Sequence, residues 1–241
     1  MVSTADATQS GGVSDLISDR LYRILTDRII AGELQPGSRI DPAAIAAEFE
    51  ISRAPIRDAF ARMEFEQLVE TKARYGTFVV RPTVRDIHEV CQFRKAVEWL
   101  ATGLATNDID RQVLRDLRRE AEEALVAAEQ GVYEPFFESD RNIHQTIIAT
   151  TGNSRLLRAR AGVEPWVAWL RVLGATGVHR IAGSTVRHLE ILDAMLAKDV
   201  EAAQAAAAVH LDEVEAWAVE DFQRDREPSV LAADDVQRTV S

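Results

Sequence analysis

The sequence predicts a mainly helical protein in two parts: three helices with a β-hairpin, then a larger all-α antiparallel helical bundle. Apolar residues recur at three- and four-residue steps over most of the 241 residues. Strand-like runs appear only over residues 68–80, around a glycine-containing turn. The chain is long enough to bury a core without disulfides, and its single cysteine cannot pair within the chain.

Three helices are predicted in quick succession near the N-terminus. Apolar side chains at helical spacing predict the first over residues 16–30. Asp41, which is followed by a proline, is the N-cap signature of a short alanine-rich second helix. Ser52 can cap a third helix, in which Ile56 and Phe60 face inward.

A β-hairpin is predicted after the third helix. The runs 68–71 and 77–80 have strand-like composition, and a basic, glycine-containing tip over residues 72–76 separates them. Three helices followed by a hairpin form a winged helix-turn-helix, in which the third helix enters the major groove of DNA. We therefore expect such a domain over residues 14–82.

The remainder of the chain is predicted to be helical. Glycine, asparagine and aspartate breaks divide it into helices at 84–105, 110–130, 134–150, 154–175, 184–198 and 200–222. Short links between helices imply an antiparallel bundle. We expect four segments: a disordered tail (1–13), the winged helix-turn-helix (14–82), a helical domain (83–223) and a mobile tail (224–241).

The net charge of −11 argues at first against a nucleic-acid partner, because phosphate binding needs local positive potential. Residues 53–81, however, carry six basic residues against four acidic ones. The acidity lies mainly beyond residue 82. DNA binding by the first part of the chain is therefore compatible with the composition.

The sequence gives no sign of export or of a membrane span. The N-terminal residues contain no basic cluster followed by an apolar run, as a secretory signal would. No segment approaches the roughly 18 consecutive apolar residues of a spanning helix. We expect a cytoplasmic protein without a membrane partner.

The start of the third helix carries the residues expected to bind DNA. Arg53 and Arg57 are four residues apart and share one face of the helix. An arginine fork can bond the O6 and N7 of guanine, which gives about 1–3 kcal/mol of discrimination. The Ser52 hydroxyl and nearby amides suit a phosphate oxygen. With the hairpin tip, the expected DNA-contacting set is Ser52, Arg53, Arg57, Arg74, Gly76 and Thr77.

These residues resemble the DNA-binding domain of the GntR superfamily. The likeness is carried by residues 45–64, IAAEFEISRAPIRDAFARME, by Leu-Val-Glu at 68–70 and by YGTFV at 75–79. In that family the arginines matching Arg53 and Arg57 contact the operator, and the resemblance implies the same role here. Taken without the resemblance, the alternative is a small α+β domain with ordinary solvated arginines.

Two positions depart from the family pattern. Gln67 stands where the family usually has a glycine, which affects how the third helix ends. Tyr75 stands where an arginine commonly precedes the glycine of the wing. Arg74 could replace that arginine by a shift of one residue.

Three of the five histidines, with one aspartate, lie where a bundle can bring them together. Asp140 and His144 are four residues apart on one predicted helix, and His188 and His210 lie on two later helices. One carboxylate and three imidazoles suit a divalent ion, zinc first, with nickel or manganese as alternatives. From spacing alone, a surface pair and two hydrogen-bonded core histidines remain the alternative.

Residues 83–222 resemble the effector domain of the FadR-type, or FCD, branch of the superfamily. In that branch an aspartate and three histidines hold a metal, and the resemblance implies that role for Asp140, His144, His188 and His210. The ion helps to bind a small carboxylate effector in metal-containing members. Arg94 is the candidate to match the effector's charge, and the alternative is a solvent-facing arginine paired with Glu98.

The sequence therefore predicts a transcription regulator and not an enzyme. In this hypothesis a homodimer places two winged helices on double-stranded operator DNA, and a small organic acid bound at the metal site controls DNA binding. Repression relieved by the effector is the commoner behaviour in the family. Two alternatives stay open: a regulator that senses the ion itself, and a metal-dependent hydrolase.

Overall fold

The computed structural model describes residues 6–173 and 178–224, which contain nine α-helices and three short β-strands. These residues divide into two compact units. The first contains the described residues up to Thr83 together with Ala161–Val172, and the second contains Val84–Arg160 and the described residues from Leu173 onward. The predicted fold class, mainly α with an N-terminal winged helix-turn-helix, is confirmed. Apart from Arg224, the predicted C-terminal tail lies outside the described residues.

The first unit has the predicted order of three helices and a hairpin. Its elements are α1 Asp6–Ile30, β1 Arg39–Ile40, α2 Pro42–Phe49, α3 Arg53–Phe65, β2 Val69–Lys72 and β3 Gly76–Val79. The strands form one antiparallel sheet in the order β1-β3-β2. Strand β1 was not predicted, because a strand of two residues is too short to show a period.

Helix α1 begins earlier than its apolar pattern indicates. It starts at Asp6 rather than at residue 16, so residues 6–13, which the prediction placed in a tail, are helical, and residues 1–5 of that tail lie outside the described residues. No proline interrupts the segment. Extending an existing helix adds one hydrogen bond for each residue that is ordered, and this favours continuation once the first turns have formed.

The core of the first unit lies between α1 and α3. At most 1% of the surface is exposed for two residues of α1, Leu25 and Ile29, and for two residues of α3, Ile56 and Met63. These are positions that the three- and four-residue spacing predicts to face inward. Each such side chain contributes about 1.5–3 kcal/mol to folding relative to an exposed position.

Helix α3 ends in a Schellman motif, although a glutamine occupies the position that favours glycine. Gln67 adopts φ +59°. Its amide donates to the carbonyl of Glu64 at 3.0 Å, and the amide of Leu68 donates to that of Met63 at 2.8 Å. The departure at Gln67 therefore leaves the form of the helix end unchanged, but a side chain is held in the left-handed region.

The second unit contains the remaining helices of the described chain. They are α4 Val84–Ala105, α5 Arg111–Glu129, α6 Glu134–Thr150, the first part of α7 Ser154–Leu173, α8 Val178–Leu196 and α9 Val200–Arg224. Asp110 caps α5, since its carboxylate accepts from the amide of Gln112 at 2.6 Å. No helix in the described part of the chain combines the length and apolar character that crossing a membrane requires.

The predicted break at Gly183-Ser184 is wrong, because α8 passes through it. A single glycine weakens a helix by only about 1 kcal/mol. Here it also fits a neighbour closely: a Cβ on Gly183 would lie 3.0 Å from the ring of Trp217. The glycine indicates close packing against α9 and not a helix end.

The second part of α7 also differs from the prediction, which placed the whole helix in the bundle. Ala161–Val172 belongs to the first unit. Within that unit the indole Nε1 of Trp166 donates to the carbonyl of Glu66 at 2.9 Å. Trp169 lies beside it with 2% of its surface exposed. Two buried indoles thus pack in the unit that carries the winged helix-turn-helix.

The left-handed backbone at Gln67 predicts that Gln67→Gly stabilises the protein by about 1 kcal/mol, because glycine adopts this conformation without Cβ strain. Equilibrium urea denaturation followed by circular dichroism measures the change. The matched control is Ala61→Gly on the exposed side of α3, which should destabilise by about 0.5–1 kcal/mol. Equal destabilisation by both substitutions would contradict the prediction.

Candidate functional site

The N-terminus of α3 presents the expected DNA-binding residues to solvent. Ser52 occupies the N-cap position with extended backbone, but its side chain makes no capping hydrogen bond. The predicted capping bond is therefore absent, while Ser52 and Arg53 are exposed. The first amides of an α-helix have no intrahelical acceptor, so this end of α3 suits an anion such as phosphate.

Arg53 and Arg57 project from the exposed face of α3, opposite its buried apolar residues. The Arg57 side chain is 81% exposed, and its Nε lies 3.7 Å from the carboxylate of Asp58. No carboxylate in the described part of the chain forms an ion pair with Arg53. The guanidinium groups of Arg57, which is weakly paired, and of Arg53, which is unpaired among the described residues, lie on one face. They can therefore contact a nucleic acid with little loss of existing interactions.

The tip of the β2-β3 hairpin requires unusual backbone. Arg74 has φ +70° and Gly76 has φ +105°, and both Arg74 and Tyr75 are exposed. Thr77, in contrast, is 7% exposed, and its hydroxyl lies 3.3 Å from that of Thr71 on the inner face of the sheet. Thr77 belongs to the predicted DNA-contacting set, and because its side chain is turned inward, a contact from this residue would be made by its backbone.

Within the second unit, the predicted metal-ligating residues meet in one buried cluster. Asp140 and His144 come from α6, His188 from α8 and His210 from α9. One ligand atom from each lies within 4.8 Å of every other. Oδ1 of Asp140 is 3.5 Å from Nε2 of His144 and 3.4 Å from Nε2 of His188, and the two imidazole nitrogens are 3.3 Å apart.

These side chains fit a divalent ion. Zn–N and Zn–O bonds of about 2.0–2.1 Å at tetrahedral angles place neighbouring donors about 3.4 Å apart, as three of these atoms are. Both ring nitrogens of His210 are buried and have no hydrogen-bond partner among the described residues. An unsatisfied buried imidazole costs free energy, and a metal would satisfy it.

Burial and neighbouring charges tune the protonation of the cluster. Burial, and next the imidazoles of His188 and His144, hold the pKa of His210 well below its usual range. Burial also lowers the pKa of His188. Burial opposes charge on His144 too, but Glu98 and Asp140 outweigh it and raise that pKa. Two imidazoles are therefore held neutral, the form that ligates metals.

The carboxylate of Glu98 joins three groups behind the cluster. Its Oε1 accepts from Nε of Arg94 at 2.9 Å and from Nε of Arg160 at 2.8 Å. Its Oε2 lies 2.7 Å from Nδ1 of His144, which is a close charge contact, and accepts no hydrogen bond of good geometry among the described residues. Burial raises the pKa of the Glu98 carboxyl. The opposing effect of its cationic neighbours is stronger and holds that pKa well below its usual range; these neighbours are Arg94, His144 and Arg160.

The contact with Glu98 orients His144. Because Nδ1 faces the Glu98 carboxylate, Nε2 faces Asp140 and His188. A carboxylate behind a histidine is the arrangement that fixes ring orientation and tautomer in metal sites. Glu98 therefore holds His144 in the orientation that a ligand needs.

The structure corrects one view of Arg94 and adds a residue that sequence reasoning missed. Arg94 is 4% exposed, so it is not solvent-facing, although its pairing with Glu98 is correct. Arg160 of α7 is equally buried and was not predicted. The alanines on both sides of Arg160 were the available signal, since small residues permit close helix packing.

A small cavity adjoins the cluster. Glu98, Thr102 and His144 line its polar side, and Ile147, Ile148, Ile191, Ala207 and Leu211 its apolar side. It has room for about one water molecule. An organic molecule bound here would need the surrounding side chains to move apart.

Comparison with known families identifies both parts of the chain. Residues 17–79 match the bacterial regulatory proteins of the gntR family. Residues 89–213, more than half of the chain, match the FCD domain. The chain therefore belongs to the GntR family of transcriptional regulators that carry an FCD domain.

Two curated relatives are similar over most of their length. The uncharacterized HTH-type transcriptional regulator YdhC of Bacillus subtilis (strain 168) is 27% identical over 194 residues, which cover 80% of this chain and 87% of the relative. The HTH-type transcriptional repressor RspR of Escherichia coli (strain K12) is 23% identical over 198 residues, 82% of this chain and 87% of that one. The families and relatives are those of regulators, so this chain is a transcriptional regulator and not an enzyme.

Solved structures share the fold. McbR/YncC of E. coli superposes with a TM-score of 0.68 at 20% identity, over 86% of this chain and 98% of that one. The metal-free FCD domain of TM0439 superposes with a TM-score of 0.53 at 20% identity, over 60% of this chain and 99% of that domain. Both likenesses concern the fold alone.

The buried contacts of Glu98 predict that Glu98→Ala lowers the free energy of unfolding by about 3–5 kcal/mol, because two buried arginines lose a shared partner. Urea denaturation measures the loss. The control Glu122→Ala removes an exposed partner of Arg118 and should cost at most about 1 kcal/mol. If the two variants lose equal stability, the buried arginines do not depend on Glu98.

Proposed function

We propose that the protein is a homodimeric transcription repressor that leaves its operator when a small organic acid binds at a divalent-metal site in the second unit. One observation carries the proposal: a chain of a DNA-binding regulator family buries four metal-ligating side chains within 4.8 Å of one another. The similarity to a relative named as a repressor supports the sign of the response. A regulator of bacterial operators acts in the cytoplasm.

Operator binding is assigned to the exposed face of α3 and to the wing. In this proposal Arg53 and Arg57 reach base edges in the major groove, and Ser52 with the first amides of α3 binds a phosphate. Arg74 and Gly76 bring the hairpin tip to the duplex. The exposure of the side chains of Ser52, Arg53, Arg57 and Arg74 supports the assignment, as does the scarcity of ion-pair partners for them among the described residues.

The ion would be held by Asp140, His144, His188 and His210. Zinc suits three imidazoles and one carboxylate, and nickel or manganese are alternatives. When bound, the ion supplies a fixed positive charge that attracts a carboxylate. The neutral His188 and His210 and the orientation of His144 by Glu98 support this role.

Arg94 is the residue proposed to bind the effector's carboxylate. Its Nε donates a hydrogen bond to Glu98. Its two terminal nitrogens donate no hydrogen bond to any acceptor in the described part of the chain. Those nitrogens can form a charge-assisted pair of hydrogen bonds with a carboxylate. Because the adjoining cavity holds about one water, the acid would bind only to a rearranged form of the site. The acid would then have a higher affinity for the rearranged form than for the form described here, and this difference would couple effector binding to DNA binding.

A homodimer would place one α3 on each half of a two-fold operator. Phe93, Leu100 and Leu104 of α4 lie seven and four residues apart, so they share one face of the helix. They remain 38%, 41% and 47% exposed. An exposed apolar stripe of this kind suits a second copy of the chain.

A regulator that senses the ion itself is the second candidate. The cavity beside the cluster favours it, because space for about one water is too small for an organic acid without rearrangement, whereas an ion held by the four side chains does not need that space. DNA affinity that depends on metal without any organic acid would distinguish this candidate from the first.

Arg57→Ala is expected to weaken operator binding by about 5- to 150-fold, since one arginine fork contributes about 1–3 kcal/mol of discrimination. Fluorescence anisotropy with the promoter of the protein's own gene measures the affinity, and the stoichiometry should be two chains per operator. Arg111→Ala on α5 is the control and should bind normally. Absence of any sequence-specific binding by the wild type, with or without metal, would refute the proposal.

His210→Ala is expected to abolish stoichiometric metal binding. Metal analysis of the purified protein and thermal melting with added Zn²⁺ are the measurements, because a ligand at 100 times its Kd stabilises the native state by about 2.7 kcal/mol. His88→Ala, which changes a half-exposed histidine paired with Glu215, should still respond to the ion. Equally negligible metal in the wild type and in His210→Ala would exclude the site.

A further inference from the structure

The small sheet of the first unit has an inner and an outer face. Residues paired across antiparallel strands point to the same side. Thr77 and Val79 of β3 are buried, so the neighbouring Phe78 belongs to the outer face. Phe78 pairs with Arg39 of β1 on one side and with Glu70 of β2 on the other. Arg39 therefore stands on the outer face of the wing and is exposed.

The guanidinium of Arg39 lies against Gly76 at the base of the hairpin tip. A Cβ added to Gly76 would be 2.9 Å from Nε of Arg39 and 3.6 Å from its Cζ. The absence of a side chain at this glycine thus leaves the space that the guanidinium occupies. The glycine, whose φ is +105°, serves the turn and the arginine together.

The charge of Arg39 is not neutralised by its neighbours. Glu70, on the same face, lies 2.7 Å from Nζ of Lys72. No carboxylate in the part of the chain that the structure describes forms an ion pair with Arg39. Exposed arginines of the second unit are of both kinds: Arg85 and Arg119 pair with glutamates at 2.7 and 2.9 Å, whereas Arg111 forms no ion pair within the described residues.

We infer that Arg39 is a DNA-contacting residue, which supplies the wing with a cation that binds a backbone phosphate. Tyr75 occupies the position where an arginine commonly precedes the wing glycine, and Arg39 places a guanidinium beside that same glycine from a different strand. A phosphate contact positions the protein on the duplex without reading sequence. The inference rests on the proposed binding of operator DNA by this unit.

The test is the salt dependence of DNA binding by the full chain. Each phosphate contact releases about one counterion, so Arg39→Gln should make the plot of log affinity against log salt shallower by about one per subunit. Affinity for the operator and for an unrelated duplex should fall by similar factors. The matched control Arg111→Gln removes the same charge from the start of α5 and should leave the slope unchanged. Arg39→Lys keeps the positive charge and should therefore keep most of the wild-type slope.

Two results would overturn the inference. One is a slope for Arg39→Gln equal to that of Arg111→Gln while the wild type binds its operator specifically, which leaves the proposed function standing. The other is a loss of affinity confined to the operator, which would make Arg39 a reader of bases. Failure of the proposed function is different, because the wild type itself would then show no specific binding.

Discussion

The buried charges around the candidate metal site depend on the Glu98 carboxylate. Moving an ion from water into a protein interior costs several kcal/mol unless a partner of opposite charge and good hydrogen bonds compensate. Glu98 compensates Arg94 from its own helix and Arg160 from another, and its second oxygen faces His144. The same carboxylate that makes two buried arginines tolerable through one oxygen directs an imidazole towards Asp140 through the other. Folding energetics and the shape of the candidate metal site are thus set by one side chain.

The arginines of this chain differ in whether a carboxylate neutralises them. In the second unit, Arg94 pairs with a carboxylate inside the bundle and Arg85 pairs with one on its surface. On α3 and the wing, Arg53 and Arg39 have no ion-pair partner within the described residues. A net charge of −11 is therefore compatible with a nucleic-acid partner, because the local field depends on which charges are neutralised by neighbours and not on their sum.

Features that depend on residues close together in the sequence could be predicted, and features that depend on contacts between residues distant in the sequence could not. The cap at Asp41 and the helical spacing around Ile56 are local, and the structure confirms both. Strand β1 depends on pairing with β3, and the burial of Arg160 depends on Glu98, far away along the chain. Spacing placed Asp140 and His144 on one face, but only the family resemblance joined them to the histidines of two other helices. Gly183 was misread because a glycine that admits a neighbouring ring has the same sequence signature as one that ends a helix.

The burial of the His/Asp cluster has a kinetic consequence. Its four side chains are between 1% and 6% exposed, and the adjoining cavity holds about one water. Whatever occupies the cluster can enter or leave only when the surrounding helices open locally, and such openings have their own free energy within a folded protein. The rate at which the occupant exchanges is then set by local opening of the bundle rather than by the chemistry of the ligand bonds. A regulator built in this way would retain a record of past conditions for as long as its helices stay closed.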